Sequence, residues 1–234
     1  MKIAVISDIH GNHLALQEVL KSAQQENAEK LLVLGDICGY YYHPDKVLEL
    51  IDKWDYELIR GNHEKILAQI KDGSVQENKV REKYGSGHRV ALERLSDVQV
   101  QRITQAPDSL SLNFQGFKIL MCHGSPLDSD QYLYPDSAKD LLEKCDSSHA
   151  DIVVVGHSHY PFIHRNKHSM LVNVGSVGQS RTTGGIASWL MVNTANNVLE
   201  LKATPYNTEE LELEIDLIDP HNPYLKEILK RNRV

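Results

Sequence analysis

The amino-acid sequence predicts an α/β fold, and three observations lead to that expectation. Short apolar runs of strand length alternate with stretches of helical spacing over the first seventy residues. This alternation is typical of parallel strands joined by right-handed helical crossovers. Polar residues follow directly after the apolar runs, at the place where α/β proteins bind their ligands. The length of 234 residues, with no repeat and no linker in the sequence, suits one large domain or two small ones.

The N-terminal part of the chain is predicted to contain three strands, each followed by a helix. The predicted strands are residues 1–7, 31–34 and 56–59. Each is a short apolar run that ends at a polar loop, as buried strands do. In the first predicted helix, Leu16, Val19 and Leu20 have the spacing of one helix face. Pro44 suits the first position of the second helix, and a third helix follows the third strand.

The remainder of the chain has a different pattern. Residues 71–87 are polar and predicted to be irregular, whereas residues 90–103 are predicted to be helical. Further strands are predicted at residues 110–114, 117–121, 152–155, 171–174, 189–192 and 199–202. The first two of them form a predicted hairpin around Gln115 and Gly116. Residues 211–217 fit either a strand or a helix, and a final helix is predicted to start at Pro223.

Composition and charge narrow the class of protein. Hydrophobic residues make up 41% of the chain and charged residues 24%, which is typical of a soluble globular protein. The formal net charge of −7 argues against binding of duplex DNA but is compatible with small phosphorylated substrates. Three scattered cysteines predict no disulfide framework and fit a cytoplasmic location, with Cys38 and Cys122 as small buried hydrophobes. The apolar run at residues 3–6 is too short for a signal peptide or a membrane span.

Polar residues with metal-binding side chains recur at the ends of five predicted strands. They are Asp8 and His10, Asp36, Asn62 and His63, His123, and His157 and His159. Each motif alone is more often a turn than a ligand. Together, two carboxylates, one amide and five imidazoles at one sheet edge predict a two-metal site. This donor set favours manganese, with iron, zinc, cobalt or nickel as alternatives, over magnesium or calcium.

The same residues resemble a known family, the calcineurin-like metallophosphoesterases. The matching motifs are Asp8-x-His10, Gly35-Asp36, Gly61-Asn62-His63-Glu64, His123-Gly124 and Gly156-His157-x-His159. The stretches around residues 7–12, 123–126 and 173–179 resemble the small prokaryotic phosphodiesterase branch. The resemblance covers residues 1–206 and implies a four-layer α/β/β/α sandwich with its site on one edge. Residues 207–234 match nothing and are expected to be an extension packed on the same domain.

The resemblance also implies a role for each site residue. It assigns the first metal to Asp8, His10, Asp36 and His159, and the second metal to Asp36, Asn62, His123 and His157. Asp36 is then the bridging ligand, and a hydroxide that bridges the two metals attacks the phosphorus. His63 is implied to be the catalytic residue that protonates the leaving oxygen, and Asn62 and His63 are implied to contact the substrate.

Some residues depart from the family pattern or lie near its motifs. Glu64 replaces an aspartate, which makes carboxylate support for His63 uncertain. Residues 40–43, Tyr-Tyr-Tyr-His, either place aromatic rings beside the leaving group or form a surface turn with stacked tyrosines, which is the preferred interpretation. Arg181 and His88 are candidates for phosphate contacts, although arginines in loops are usually solvated.

The leading hypothesis is a dinuclear metal-dependent phosphoesterase acting on small phosphodiesters or phosphomonoesters. A dinucleoside polyphosphate hydrolase or a protein phosphatase ranks second, because the sequence has no obvious extended basic groove. A non-catalytic scaffold of the same fold is disfavoured, because all seven ligand positions and His63 are filled. A nuclease is disfavoured by the acidic charge. Neither a membrane nor duplex DNA is an expected partner, and the sequence leaves the oligomeric state open.

Overall fold

The computed structural model describes residues 1–232, which form ten strands and nine helices. The strands are β1 (Lys2–Ile6), β2 (Lys30–Val33), β3 (Tyr56–Leu58), β4 (Ser109–Phe114), β5 (Phe117–Cys122), β6 (Ile152–Val155), β7 (Phe162–Arg165), β8 (Met170–Asn173), β9 (Ile186–Asn193) and β10 (Val198–Pro205). The helices are α1 (His13–Gln25), α2 (Pro44–Ile51), α3 (Asn62–Lys71), α4 (Glu77–Tyr84), α5 (Gly87–Arg94), α6 (Asp97–Thr104), α7 (Lys139–Glu143), α8 (Glu209–Ile218) and α9 (Tyr224–Lys230). None of the described helices has the length and apolar character that crossing a membrane requires.

The strands form two five-stranded sheets. The first has the order β10-β9-β1-β2-β3, with β1, β2 and β3 parallel and β9 antiparallel to both β1 and β10. The second has the order β4-β5-β6-β8-β7, with β5, β6 and β8 parallel and antiparallel strands at both edges. The parallel strands of each sheet therefore end at a common edge, which is where α/β proteins bind ligands.

The side chains of each strand point alternately to its two faces, and this alternation produces the layers of the fold. Ile3 and Val5 of β1 lie in the core between the two sheets, together with Val154 of β6. Ala4 and Ile6 face the other way and pack in the core that holds the buried face of α1. Successive side chains of a strand point to opposite faces, so a sheet covered on both sides reads as a continuous apolar run.

The outer face of the second sheet is covered in the same way. Val153, Val155 and Leu171 pack there with Leu142 of α7. Helix, sheet, sheet and helix thus follow one another as four layers. The expectation of a four-layer α/β/β/α sandwich is confirmed.

Three local predictions differ from the structure. Residues 71–87 are not irregular throughout, because α4 forms within them and ends at Gly85, which adopts a positive φ of 78°. Residues 90–103 are interrupted at Ser96, whose hydroxyl accepts a hydrogen bond from the Gln99 N–H and so starts α6 as a separate helix. Elements β7 and α7 were not predicted, because neither has a clear hydrophobic period.

The structure decides between the two alternatives for the tail. Residues 211–217 are helical, since Leu211 and Ile215 of α8 are buried four residues apart while Leu213 and Leu217 are exposed. Alternation with acidic residues resembled a strand, but only every fourth residue faces the core. The predicted last helix is α9, which begins directly after Pro223.

Helices α8 and α9 cover the tyrosines of residues 40–43. Tyr41 and Tyr42 are fully buried, and their hydroxyls donate to the Leu225 carbonyl at 3.2 Å and to the Asp219 carboxylate at 3.0 Å. Asp219 also accepts hydrogen bonds from the N–H and hydroxyl of Ser86, just before α5. The preferred interpretation of a surface turn is therefore wrong. The tail buries this loop, a contact that the local sequence could not reveal.

Candidate metal centre

All eight predicted site residues lie together at the edge where the parallel strands end. Seven of them form three clusters that could hold a metal ion: Asp8, His10 and His159; His10, Asp36 and His63; and Asp36, His123 and His157. Within each cluster, the candidate donor atoms lie within 4.8 Å of one another. The eighth, Asn62, joins them through its Oδ1 atom, which lies 3.0 Å from His123 Nε2. The sequence thus identified every member of these clusters.

The strand ends direct these side chains through an uncommon backbone conformation. Five of the predicted ligands adopt left-handed φ angles near +60°, namely Asp8, His10, Asp36, His157 and His159. Such a conformation costs roughly 1–3 kcal/mol for a residue with a side chain, and it persists where function demands it. These tight turns allow residues that follow strands of both sheets to direct their side chains toward the same site.

Two glycines leave the space that these side chains need. Gly39 has a φ of +91°, and a Cβ atom there would lie 2.0 Å from His63 Nδ1. At Gly156, a Cβ atom would lie 2.4 Å from the Asp8 carboxylate. Any larger residue at either position would displace a site residue.

Backbone carbonyls fix the tautomers of three histidines. The Nδ1 atoms of His10, His123 and His159 lie 3.1, 2.7 and 2.7 Å from the carbonyl oxygens of Cys38, Leu34 and Gln179. A carbonyl oxygen only accepts hydrogen bonds, so each Nδ1 carries a proton and each Nε2 offers a lone pair to the site whenever the ring is neutral. This orientation is typical of imidazoles that bind metals.

Two of these lone pairs point at one another. His10 Nε2 and His159 Nε2 are 3.1 Å apart, at a distance where two neutral acceptors repel. The Asp8 Oδ1 atom lies 3.2 Å from His159 Nε2 and is buried without a hydrogen-bond donor from any residue of the described range 1–232. A cation beside these three atoms satisfies all of them at once, so the residues present fit a bound metal ion.

Each of the two carboxylates is fixed through one of its oxygens, which accepts a backbone hydrogen bond. Asp8 Oδ2 accepts a hydrogen bond from the His157 N–H at 2.9 Å, and Asp36 Oδ1 accepts one from the His63 N–H at 2.8 Å. The second oxygen of Asp36 lies 3.3 Å from His123 Nε2 and 3.8 Å from His10 Nε2. Asp36 Oδ2 is therefore placed between the two sides of the centre.

The charge of the carboxylates dominates the electrostatics on one side of the centre. Burial opposes protonation of His123, yet the charges of Asp36 and Asp8 raise its pKa to about 10. For His10, burial prevails over the same charges and lowers the pKa to about 3. The centre thus contains uncompensated negative charge, which a divalent cation would neutralise.

Glu64 stabilises the backbone around the metal centre rather than the side chain of His63. Its carboxylate is fully buried and accepts four backbone N–H groups, those of Asp36, Ile37, Cys38 and Gly61, at distances of 2.7 to 3.3 Å. Burial and the charge of Asp36 raise the pKa of Glu64 to about 7, although the N–H donors oppose this shift. The side chain ties the loop after β2 to the start of α3.

His63 lies at the second position of α3 in an aromatic environment. Its ring is buried and stacks on His88, with ring centroids 4.9 Å apart and planes 11° from parallel. Tyr84 and Tyr40 pack against it at 4.8 and 5.0 Å. Burial holds its pKa well below the usual value, and its Nδ1 atom has no hydrogen-bond partner among the described residues.

A small pocket opens over the clusters, and five of the nine residues that line it are predicted site residues. Its volume is about 10 Å³, and besides the predicted residues it is lined by Tyr40, Tyr84, Tyr132 and Arg181. Tyr84 belongs to the segment predicted to be irregular, and Tyr40 to the predicted surface turn. The arginine was recognised only as a candidate, with solvation as the preferred interpretation. In the sequence, the only signal that these four residues line the pocket was their position near the motifs.

Comparison with known proteins agrees with this geometry. Residues 1–197 match the family model of the calcineurin-like phosphoesterase superfamily domain. The protein therefore belongs to the calcineurin-like phosphoesterase superfamily and is a metal-dependent hydrolase. It is 29% identical over 229 residues to an uncharacterized protein from Methanocaldococcus jannaschii, with 89% of each chain covered.

Solved structures share the fold. A hypothetical protein from Pyrococcus horikoshii OT3 superposes with a TM-score of 0.84 at 21% identity, covering 98% of this chain and 97% of its own. A metallophosphoesterase from Sphaerobacter thermophilus gives 0.78 at 21% identity, with 98% of both chains covered. The phosphoesterase YfcE from E. coli gives 0.52 at 20% identity, covering 88% of this chain and 100% of its own. The predicted likeness to small prokaryotic phosphoesterases is confirmed.

Proposed function

We propose that this protein is a dinuclear metal-dependent phosphoesterase that hydrolyses small soluble phosphomonoesters or phosphodiesters. The observation that carries the proposal is the pair of imidazole lone pairs of His10 and His159, 3.1 Å apart beside the unpartnered Asp8 Oδ1. A cation held by these groups removes their repulsion and supplies the partner that the Asp8 oxygen lacks. A second cluster of the same chemistry lies beside the first, on the other side of Asp36.

The proposed ligands follow the two sides of the centre. One metal is assigned to Asp8, His10, Asp36 and His159, and the other to Asp36, Asn62, His123 and His157. Asp36 is the shared ligand, since its Oδ2 faces imidazoles of both sides. Nitrogen and oxygen donors favour manganese, iron, zinc, cobalt or nickel, among which we propose manganese.

Two bound cations supply charge neutralisation for the phosphoryl oxygens and make water nucleophilic near neutral pH. The chain supplies orientation and a proton. Asn62 and His63, adjacent at the start of α3, contact the substrate. The His63 imidazolium protonates the departing oxygen. Burial lowers its pKa in the free protein, but the negative charge of a bound phosphoryl group favours the protonated form. Stacking on His88 and the edge-on contact with Tyr84 hold the ring in place for that transfer.

The alternatives from the sequence are less well supported by the pocket. A dinucleoside polyphosphate or a phosphorylated protein needs an extended binding surface, whereas the cavity over the clusters measures about 10 Å³. Drug-sized ligands usually occupy roughly 300–1,000 Å³. A non-catalytic scaffold of this fold has no need of a complete donor set. The three cysteines are free and buried, which supports a reducing compartment such as the cytoplasm.

Removal and restoration of metal tests the proposal. Dialysis against EDTA should abolish hydrolysis of p-nitrophenyl phosphate, and Mn²⁺ should restore it better than Mg²⁺. The control is circular dichroism of the dialysed protein, which should retain its secondary structure. Full turnover by protein shown to be free of metal would refute the two-metal mechanism.

A further inference from the structure

We propose that Arg181 binds the phosphoryl group of the substrate and that the pocket around it selects compact phosphomonoesters over phosphodiesters. This inference rests on the proposed function and specifies its substrate class. It is carried by an unpaired cation beside the metal clusters, by the contacts that fix that cation, and by the size and walls of the pocket.

Arg181 is a cation without a counter-ion. Its guanidinium is half-buried, its Nε atom is buried without an acceptor, and no carboxylate among residues 1–232 lies within ion-pair distance. Tyr40 and Tyr132 line the same pocket as the arginine, and the charge of Asp8 acts on it only from beyond ion-pair distance. A partly desolvated charge without a partner is costly, and the guanidinium fork matches the oxygens of a phosphate. Arg181 is thus prepared for an anion that comes from outside the chain.

The position of Arg181 identifies that anion. The arginine lines the same small cavity as Asp36, His63, His157 and His159. An anion held there lies against the residues assigned to both metals and to proton transfer. In a phosphoesterase, the group that must occupy this point is the phosphoryl group itself.

The C-terminal segment holds the arginine in this direction. Arg231 donates a hydrogen bond to the Arg181 carbonyl at 3.2 Å, and Asn232 donates one to the Thr182 carbonyl at 2.8 Å. The Gly184 N–H donates to the Arg231 carbonyl at 2.8 Å. These contacts fix the backbone on one side of Arg181. On the other side, the Gln179 carbonyl is bound to the imidazole of His159.

The pocket leaves little free space beside the phosphoryl group. Its volume of about 10 Å³ lies far below the range typical of drug-sized ligands, roughly 300–1,000 Å³. Tyr40 and Tyr84 close one wall, with ring centroids 5.6 Å apart, and both pack on His63. A phosphodiester carries substituents on two oxygens, and the second substituent would have to enter this wall or the site of Arg181.

Charge favours the same substrate. A phosphomonoester carries a charge of about −1.5 to −2 at neutral pH, because its second pKa is near 6. A phosphodiester carries only one negative charge. Two divalent cations and an arginine together therefore stabilise the monoester more strongly, and a monoester offers them three non-bridging oxygens where a diester offers two.

The test compares two esters that differ by one methyl group. The substrates are p-nitrophenyl phosphate and methyl p-nitrophenyl phosphate, which share a leaving group. The variants are Arg181→Met and Arg181→Lys, and the control is Arg165→Met, which changes an exposed arginine at the end of β7. For each protein, kcat/KM is measured for both esters. The affinity for inorganic phosphate is measured by calorimetry on the metal-loaded protein, and the metal content is measured by elemental analysis.

We expect wild type to prefer the monoester. Arg181→Met should lower kcat/KM for the monoester and the affinity for phosphate by about 10- to 100-fold, because hydrogen bonds to a charged group usually contribute that much to binding. The fall in kcat/KM for the diester should be smaller than that for the monoester, and the metal content of Arg181→Met should be unchanged. The Arg165→Met control should match wild type in all three measurements. Arg181→Lys, which keeps the charge and the stem, should show an intermediate loss and provides the answer if the methionine variant is unstable.

Three results would overturn the inference while leaving the proposed function intact. They are a wild-type preference for the diester, equal losses on both esters, and unchanged phosphate affinity in the Arg181 variants. Failure of the proposed function has a different signature, because wild type would then contain no metal and would cleave neither ester.

Discussion

Replacing Glu64 with glutamine tests whether a carboxylate is what holds the loop of Asp36 in place. In the structure, Glu64 Oε2 accepts the N–H groups of Asp36 and Gly61 at 2.7 and 2.8 Å. Its Oε1 accepts those of Ile37 and Cys38 at 2.8 and 3.3 Å. Each oxygen therefore serves two backbone donors, the Cys38 thiol also donates to Oε1, and the side chain is fully buried.

The glutamine amide has nearly the same shape but offers only one oxygen. In either orientation, its NH₂ group faces two backbone N–H groups, which lose their acceptor. A buried donor left without an acceptor costs about 1–3 kcal/mol, so two of them cost about 2–6 kcal/mol. We expect the free energy of unfolding of Glu64→Gln to fall by less than that amount, because glutamine also removes the buried charge and the repulsion from Asp36 that raise the Glu64 pKa.

The assay is urea unfolding of metal-free protein at pH 8, followed by circular dichroism. This pH lies above the value of about 7 to which burial and the charge of Asp36 raise the Glu64 pKa, so wild type holds a carboxylate there. The matched control is Glu82→Gln on the exposed side of α4, expected to change stability by less than about 0.5 kcal/mol. A Glu64→Gln variant as stable as wild type would refute the reasoning, because a neutral side chain would then satisfy all four donors.

Three further predictions concern the catalytic residue and the acid stability of the fold. Gly39→Ala places a Cβ atom 2.0 Å from His63 Nδ1, so we expect it to displace the ring and lower kcat by about 10²–10⁴-fold while both metals stay bound. His63→Asn should lose much more rate on an alkyl phosphate than on a nitrophenyl phosphate, and equal losses would show that His63 is not the acid. Burial opposes ionisation of Asp146, but hydrogen bonds from Ser169 and His168 lower its pKa to about 2. Because this folded-state pKa lies below the unfolded value, the stabilisation is present above about pH 4 and is lost as the pH falls to about 2. Thermal unfolding of metal-free Asp146→Asn should be correspondingly less pH-dependent over that range, and an unchanged pH profile would contradict the assignment.

The parts of the fold that follow local rules were predictable from the sequence. Strands such as β1 and β6 are apolar runs bounded by polar loops, and their side chains are buried on both faces. The candidate ligands were predictable for a related reason. They stand directly after the strands, so the sheet topology brings Asp8, Asp36 and His157 together without any long-range detail.

What could not be predicted depends on contacts between distant parts of the chain. The burial of Tyr41 is produced by Leu225 and its neighbours, which are far away in the sequence. The exposure of Arg181 to the pocket depends on hydrogen bonds from Arg231 and Asn232 to its segment. The left-handed backbone at residues such as His159 is likewise a tertiary property, because the local sequence does not favour it.

The central claim is that two metal ions share Asp36, and elemental analysis of purified wild type and Asp36→Asn tests it most directly. The account predicts two equivalents of a divalent transition metal per chain in wild type. In the variant, at least one equivalent and nearly all turnover should be lost, with circular dichroism unchanged. Wild type containing no metal, or an Asp36→Asn variant that keeps both metals and normal activity, would contradict the account.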